Sequence, residues 1–222
     1  MPANADQIMQ FMKEAEREAR KAQMVGEVPI GAVVVYEGRI IGRGHNLREH
    51  SQNGTHHAEM MAIQEACLVM HSWRLENCDL YVTLEPCPMC AGAMINSRVR
   101  CCYWGASDPK AGAAGTLVNL LADTRFNHQV ASFGGIDEAE CGRMLQDFFR
   151  AIRAKRKAAK KAAKARQALE EQNVPDDPRP KRKGQEPEIT GEAVLAYAAM
   201  LEKQQAEAAG DATADAGQEL PD

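Results

Sequence analysis

The sequence predicts an α/β domain built in three layers, closed by a long helix and followed by a polar tail. Three observations carry this. Short β-branched runs alternate with segments of helical period through the first two thirds of the chain. A stretch dominated by Ala, Lys and Arg then continues in helix formers. Beyond Asn173, VPDDPRPKRKGQEPE is rich in proline and poor in apolar residues, as extended, disordered chain is. A chain of 222 residues can bury one sizeable core. The breaks in composition place that core at 1–155, a basic extension of the last helix at 156–172 and the low-complexity tail at 173–222.

Taken in order, residues 7–24 set Ile8, Met9, Phe11, Met12, Ala15, Ala19, Ala22 and Met24 near a 3.6 period, which predicts an amphipathic covering helix. PIGAVVVYEGRIIGRGHN gives two β-branched runs, 30–36 and 39–44, around Glu37-Gly38, a hairpin whose strands are expected to be central. After a polar loop, HAEMMAIQEACLVMH predicts a helix with Thr55 as candidate cap and His57 and Glu59 in its first turn. Residues 79–84 read as a strand. The chain then turns at Glu85-Pro86 into a helix whose first position suits Pro88. A strand at 99–104, a loop at 105–115, a helical turn at 117–121 and a last strand at 129–133 lead to the long helix from Asp137. Within the tail, 192–206 could form a short helix.

No window approaches the roughly eighteen uninterrupted apolar residues that a membrane span needs, so no membrane role is expected. The first residues lack a basic stretch followed by an apolar run, and a cytoplasmic location is the expectation. Seven cysteines, an odd number without framework spacing, suit a reducing compartment. The formal net charge of −4 hides an asymmetry: Arg150 to Arg166 carries nine basic residues and no acid. Such a run is either a solvated helix face or a phosphate-binding surface, and in an otherwise acidic chain the second reading gains weight.

The chemistry concentrates in TLEPCPMCAGAM, where Cys87 and Cys90 stand three apart. A CxxC pair can belong to a structural zinc knuckle, a redox dithiol or a catalytic metal site. A structural zinc site takes four protein ligands, and no second CxxC, CxxH or HxxxH follows; the next cysteines, 101 and 102, are adjacent and face opposite sides of a strand. Upstream, His57 opens a predicted helix and offers a third ligand. Three protein ligands leave one position for water, and Glu59, two residues on, supplies a carboxylate able to move that water's proton. His56 reads as an ordinary surface or core residue. A non-catalytic zinc protein that binds nucleic acid remains an alternative, with Glu59 as the feature it does not need.

HAE followed by PCPMC resembles the signature of the zinc-dependent nucleobase deaminases, of the cytidine/deoxycytidylate deaminase superfamily. GEVPIGAVVV, GHN, HHAEMMAI, LYVTLEPCPMCAGAMINSRV, GASDPKAGAAG and DFFRAIRAKRK extend the resemblance over about 5–165, and are similar to the bacterial members that convert the wobble adenosine of tRNA to inosine. The resemblance implies a cytidine-deaminase-like fold with a mixed five-stranded sheet and a homodimer. It implies one Zn2+ per subunit held by His57, Cys87 and Cys90, with Glu59 as proton shuttle. Asn46 of GHN matches a residue that hydrogen-bonds the target base, although by itself it reads as a turn residue. Asp108 and Lys110 match a substrate-facing loop, and Phe149, Arg150 and Arg153 lie in the segment that would meet the tRNA anticodon loop. Deamination of a free base or nucleotide (cytosine, dCMP or guanine) uses the same zinc motif and is the enzymatic alternative.

Overall fold

The computed structural model describes residues 4–172, and the account below concerns the compact unit Met1–Ala168. The expected tail at 173–222, with its helix at 192–206, lies outside the described residues. Helix α1 (Ala5–Met24) starts at Asn4, whose side chain accepts from the Gln7 N–H while the Gln7 side chain accepts from the Asn4 N–H, a reciprocal cap. It buries Phe11, Met12, Ala15, Ala19 and Ala22 along one face.

Strands β1 (Gly31–Tyr36) and β2 (Arg39–His45) form the hairpin, with Glu37 at φ 47 and Gly38 at φ 75 in its two-residue turn. Both central residues are left-handed, as the turn that matches strand twist requires. Helix α2 (Ala58–Met70), strand β3 (Cys78–Leu84), helix α3 (Pro88–Asn96), strands β4 (Cys101–Ala106) and β5 (Ala131–Phe133), and helix α4 (Glu138–Gln172) complete the order. The sheet runs β2-β1-β3-β4-β5, with β1 antiparallel to β2 and β3, and β3, β4 and β5 parallel.

Alternation along the inner strands separates two cores. Leu80, Val82 and Cys102 face Ala62, Ile63, Ala66, Ala91 and Met94 of α2 and α3. Tyr81, Cys101 and Tyr103 face Phe11, Met12 and Ala15 of α1 and Cys141 of α4. The three-layer α/β expectation holds.

Three local expectations need correction. Only β1 of the hairpin is interior; β2 is a sheet edge, and α2 lies across its face. That seating is close because Gly42 and Gly44 have no side chain: a Cβ would stand 2.2 Å from the Ala62 oxygen and 2.1 Å from the Ala58 oxygen, respectively. The cap of α2 is His57, not Thr55, whose N–H and hydroxyl both go to Asn53 Oδ1. Residues 117–121 are not helical. Their donors turn back across the loop, with Leu117 N–H to Gly112 O and Leu120 N–H to Ala113 O, and Ala114 bridges Asn119 in an antiparallel pair.

Candidate metal centre and active site

Parallel strands β3 and β4 deliver their chain ends to one side of the sheet, where an α/β fold ordinarily places its ligand. From β3 the chain passes through Glu85 and Pro86 to Cys87, which caps α3 with extended backbone (φ −74, ψ 171), and Pro88 fills the first helical position. His57 caps α2 in the same way, at φ −79 and ψ 157. Neither side chain makes a capping hydrogen bond to the first-turn amides of its helix, and both turn to a shared point.

They meet there with Cys90. Cys87 Sγ and Cys90 Sγ are each 3.6 Å from His57 Nδ1 and 3.7 Å from each other. Zinc bonds of about 2.3 Å to sulfur and about 2.05 Å to nitrogen, at tetrahedral angles, require separations of roughly 3.8 Å between sulfurs and roughly 3.6 Å from sulfur to nitrogen. The donor set fits a tetrahedral zinc ion in both chemistry and spacing, with one position left over.

The electrostatics of the group agree. The hydrogen bond from the Cys90 thiol, with His57 adding to it against the opposing effect of burial, pulls the Cys87 thiol down to about 4. The same bond, with burial, pushes the Cys90 thiol far above the usual thiol range. Two sulfurs this close share one proton unless a cation takes its place. The Cys87 bond likewise raises His57.

Glu59, in the first turn of α2, is buried beside this triangle, and its charge bears on the Cys90 thiol. Burial pushes its carboxyl up to about 7. A carboxyl poised there can take a proton and return it at neutral pH.

Asn46 follows β2 and is buried; its N–H bonds the Ile30 oxygen, and its Nδ2 donates to Glu27 Oε2 at 3.0 Å. Glu27 Oε1 accepts from the His50 N–H at 2.5 Å. This buried carboxylate orients the Asn46 amide and leaves Asn46 Oδ1 without a partner among the described residues. Asp108 is half-buried; its N–H donates to Glu85 Oε2, and its side chain accepts from the Lys110 N–H. Lys110 is exposed.

Phe149, Arg150 and Arg153 lie on α4 and make no described bond to this group. Phe149 packs edge-on to Phe148, Arg150 pairs with Asp147 at 2.7 Å, and Arg153 is exposed, as are all residues of the helix from there to Gln167.

Glu27 and Glu85 escape a reading of the sequence. Each looks like a surface acid in a turn, and only the fold shows that both are buried. The one hint for Glu85 is its place two residues before Cys87.

Comparison with known proteins gives the site a context. A family model of MafB19-like deaminases matches residues 5–153. The chain is 59% identical over 151 residues to a tRNA-specific adenosine deaminase of Bacillus subtilis (strain 168), covering 68% of this chain and 94% of that protein. It is 46% identical over 160 residues to a tRNA-specific adenosine deaminase of Streptococcus pyogenes serotype M3, covering 72% of this chain and 94% of that one. A solved structure concerned with A-to-I editing by tRNA:A34 deaminases at the wobble position of transfer RNA superposes with a TM-score of 0.59 at 43% identity, over 61% of this chain and 99% of the other.

Proposed function

The chain belongs to the MafB19-like deaminase family and, with its relatives there, to the tRNA-specific adenosine deaminases, and from that premise we propose a reaction and a role for each site residue. The reaction is hydrolytic deamination of the wobble adenosine in the tRNA anticodon loop, giving inosine and ammonia. The observation that carries the assignment of the site is the 3.6 to 3.7 Å triangle of His57 Nδ1, Cys87 Sγ and Cys90 Sγ with a buried carboxylate against it.

These three residues hold one zinc ion. When bound, zinc acts as a Lewis acid that makes water nucleophilic at neutral pH. Glu59 accepts the proton that water sheds as its oxygen bonds to C6 of the adenine. The same carboxyl then delivers a proton to the amino nitrogen as the C6–N bond breaks and ammonia leaves. Asn46 meets the base through the amide that Glu27 holds in place. An anticodon loop suits this enclosed site because its bases are unpaired and can be splayed out at low cost. Asp108 and Lys110 meet the flanking nucleotides, and Phe149, Arg150, Arg153 and the exposed basic face of α4 track the phosphates.

The assembly we propose is a homodimer in the cytoplasm. Its support is the apolar surface left open at the end of α2 and just beyond it, where Leu68, Val69 and Trp73 are exposed. No helix among the described residues is long and apolar enough to cross a membrane.

Incubation of the zinc-loaded protein with tRNA carrying a wobble adenosine, and in parallel with free adenosine, cytosine, dCMP and guanine, tests this reading. Sequencing is expected to show inosine at the wobble position alone. Turnover confined to the free bases or nucleotides would refute it.

A further inference from the structure

We infer that Glu85 is a positioning residue that locks the loop over 107–118 to the strand end carrying Cys87. The inference rests on the reading above, in which that loop meets the substrate. Glu85 is buried, and none of the described salt bridges includes it. A buried carboxylate without a cation is costly unless hydrogen bonds fill its lone pairs. Here they are filled entirely by the loop. Oε1 accepts from the N–H groups of Ala114 at 3.1 Å and Thr116 at 2.9 Å; Oε2 accepts from the Asp108 N–H at 3.1 Å and from the Thr116 hydroxyl.

The loop is shaped to make these bonds. A Cβ on Gly112 would stand 2.3 Å from Glu85 Oε2, so the backbone passes where no side chain fits. Two backbone bonds complete the frame: Glu85 N–H to Ala106 O and Ala113 N–H to Pro86 O, both 2.8 Å. Asp108, through its bond to the Lys110 N–H, carries the frame on to Lys110. Cys87 and the two loop residues that face the anticodon are therefore parts of one rigid piece, with the Glu85 carboxylate at its centre. None of the described hydrogen bonds of Glu85 goes to His57, Cys87, Cys90 or Glu59. Its effect is to hold the RNA-contacting loop in register with the reacting centre.

Glu85→Gln isolates this role. The amide nitrogen settles at the Oε2 position, because the Thr116 hydroxyl can rotate and accept from it, and the Asp108 N–H alone is left without an acceptor. For an anticodon stem-loop with a wobble adenosine, KM is expected to rise by at least about tenfold with kcat within about threefold, the scale of losing one bond to a charged acceptor. Zinc is expected to stay at one per subunit. A lowered melting temperature with unchanged KM would mean that Glu85 only stabilises the fold and would overturn the proposal. Should Glu85→Gln fail to fold, Thr116→Val decides, with a smaller rise in KM expected and an unchanged KM overturning. Asp108→Ala and Lys110→Ala separate the two layers of the argument. If they leave KM unchanged, the loop does not meet RNA and the reading of the site falls with the proposal. If they raise KM and Glu85→Gln does not, the role of Glu85 alone falls.

Discussion

Gly44→Ala puts a single methyl group where α2 rests on β2, and the structure sets the size of the effect. The added Cβ would lie 2.1 Å from the Ala58 oxygen and 2.6 Å from the Ala62 nitrogen, against a floor of 3.0 Å for such contacts, so the helix start must retreat by about 0.9 Å. Both obstructing atoms are backbone, and no rotamer change relieves them. Overpacking of this kind destabilises by about 1–3 kcal/mol. For a chain of this size that is a fall in Tm of roughly 2–12 °C. Ala58 directly follows His57 and precedes Glu59, so the retreat also pulls a ligand and the proton shuttle away from Cys87 and Cys90. Displacement of about 1 Å costs on the order of 100-fold in turnover. Thermal melting, zinc content and the deamination rate measured together check this. Gly42→Ala meets the Ala62 oxygen one turn farther along α2, and should lower Tm similarly with less loss of zinc. A Gly44→Ala protein with wild-type melting and turnover would refute the account of how α2 positions the site.

Other outcomes follow from the same geometry. Cys87→Ala should abolish stoichiometric zinc and make Tm insensitive to chelator, because the wild-type protein is stabilised by whatever binds its folded form; metal analysis and paired melts check it. Glu27→Gln removes the charged acceptor of the Asn46 amide and the His50 N–H, and should lower kcat/KM about tenfold, the equivalent of about 1.4 kcal/mol, with zinc retained. Replacing Lys160, Lys161 and Lys164 by Gln should weaken tRNA binding and flatten its salt dependence by about 0.7–0.9 for each phosphate no longer neutralised, read from binding titrations at several salt concentrations.

What can be read in the sequence is what short-range pattern controls. Glu37-Gly38 marks its own turn, and Cys87-Pro88 marks both a helix start and two potential ligand positions, because caps and proline act within a few residues. The pairing of His57 with Cys87 and Cys90 is legible because His57 and Cys87 each open a helix and Cys90 follows in the first turn of the second. What resists reading is what distant backbone decides. Nothing in RIIGRGH says that β2 is an edge, and Gly42 and Gly44 acquire their role only once α2 is known to lie on them. Residues 117–121 look helical until the Glu85 carboxylate, thirty residues earlier, takes the N–H groups of Ala114 and Thr116. Glu27 and Glu85 are invisible for the same reason: a buried acid is distinguished from a surface acid only by the amides that converge on it. Asn46 falls between the two cases, since GHN suggests a turn and the burial of its amide against Glu27 gives it an orientation.

The central claim, that a buried carboxylate beside a three-ligand zinc site performs the proton transfers of adenosine deamination, is tested most directly by Glu59→Gln. Glutamine matches the shape of Glu59 and can neither take nor return the proton. The protein should bind one zinc per subunit and melt no lower than wild type, yet form inosine in a wobble-adenosine stem-loop at least about 1,000-fold more slowly. Inosine formation near the wild-type rate by a zinc-loaded Glu59→Gln protein would contradict it.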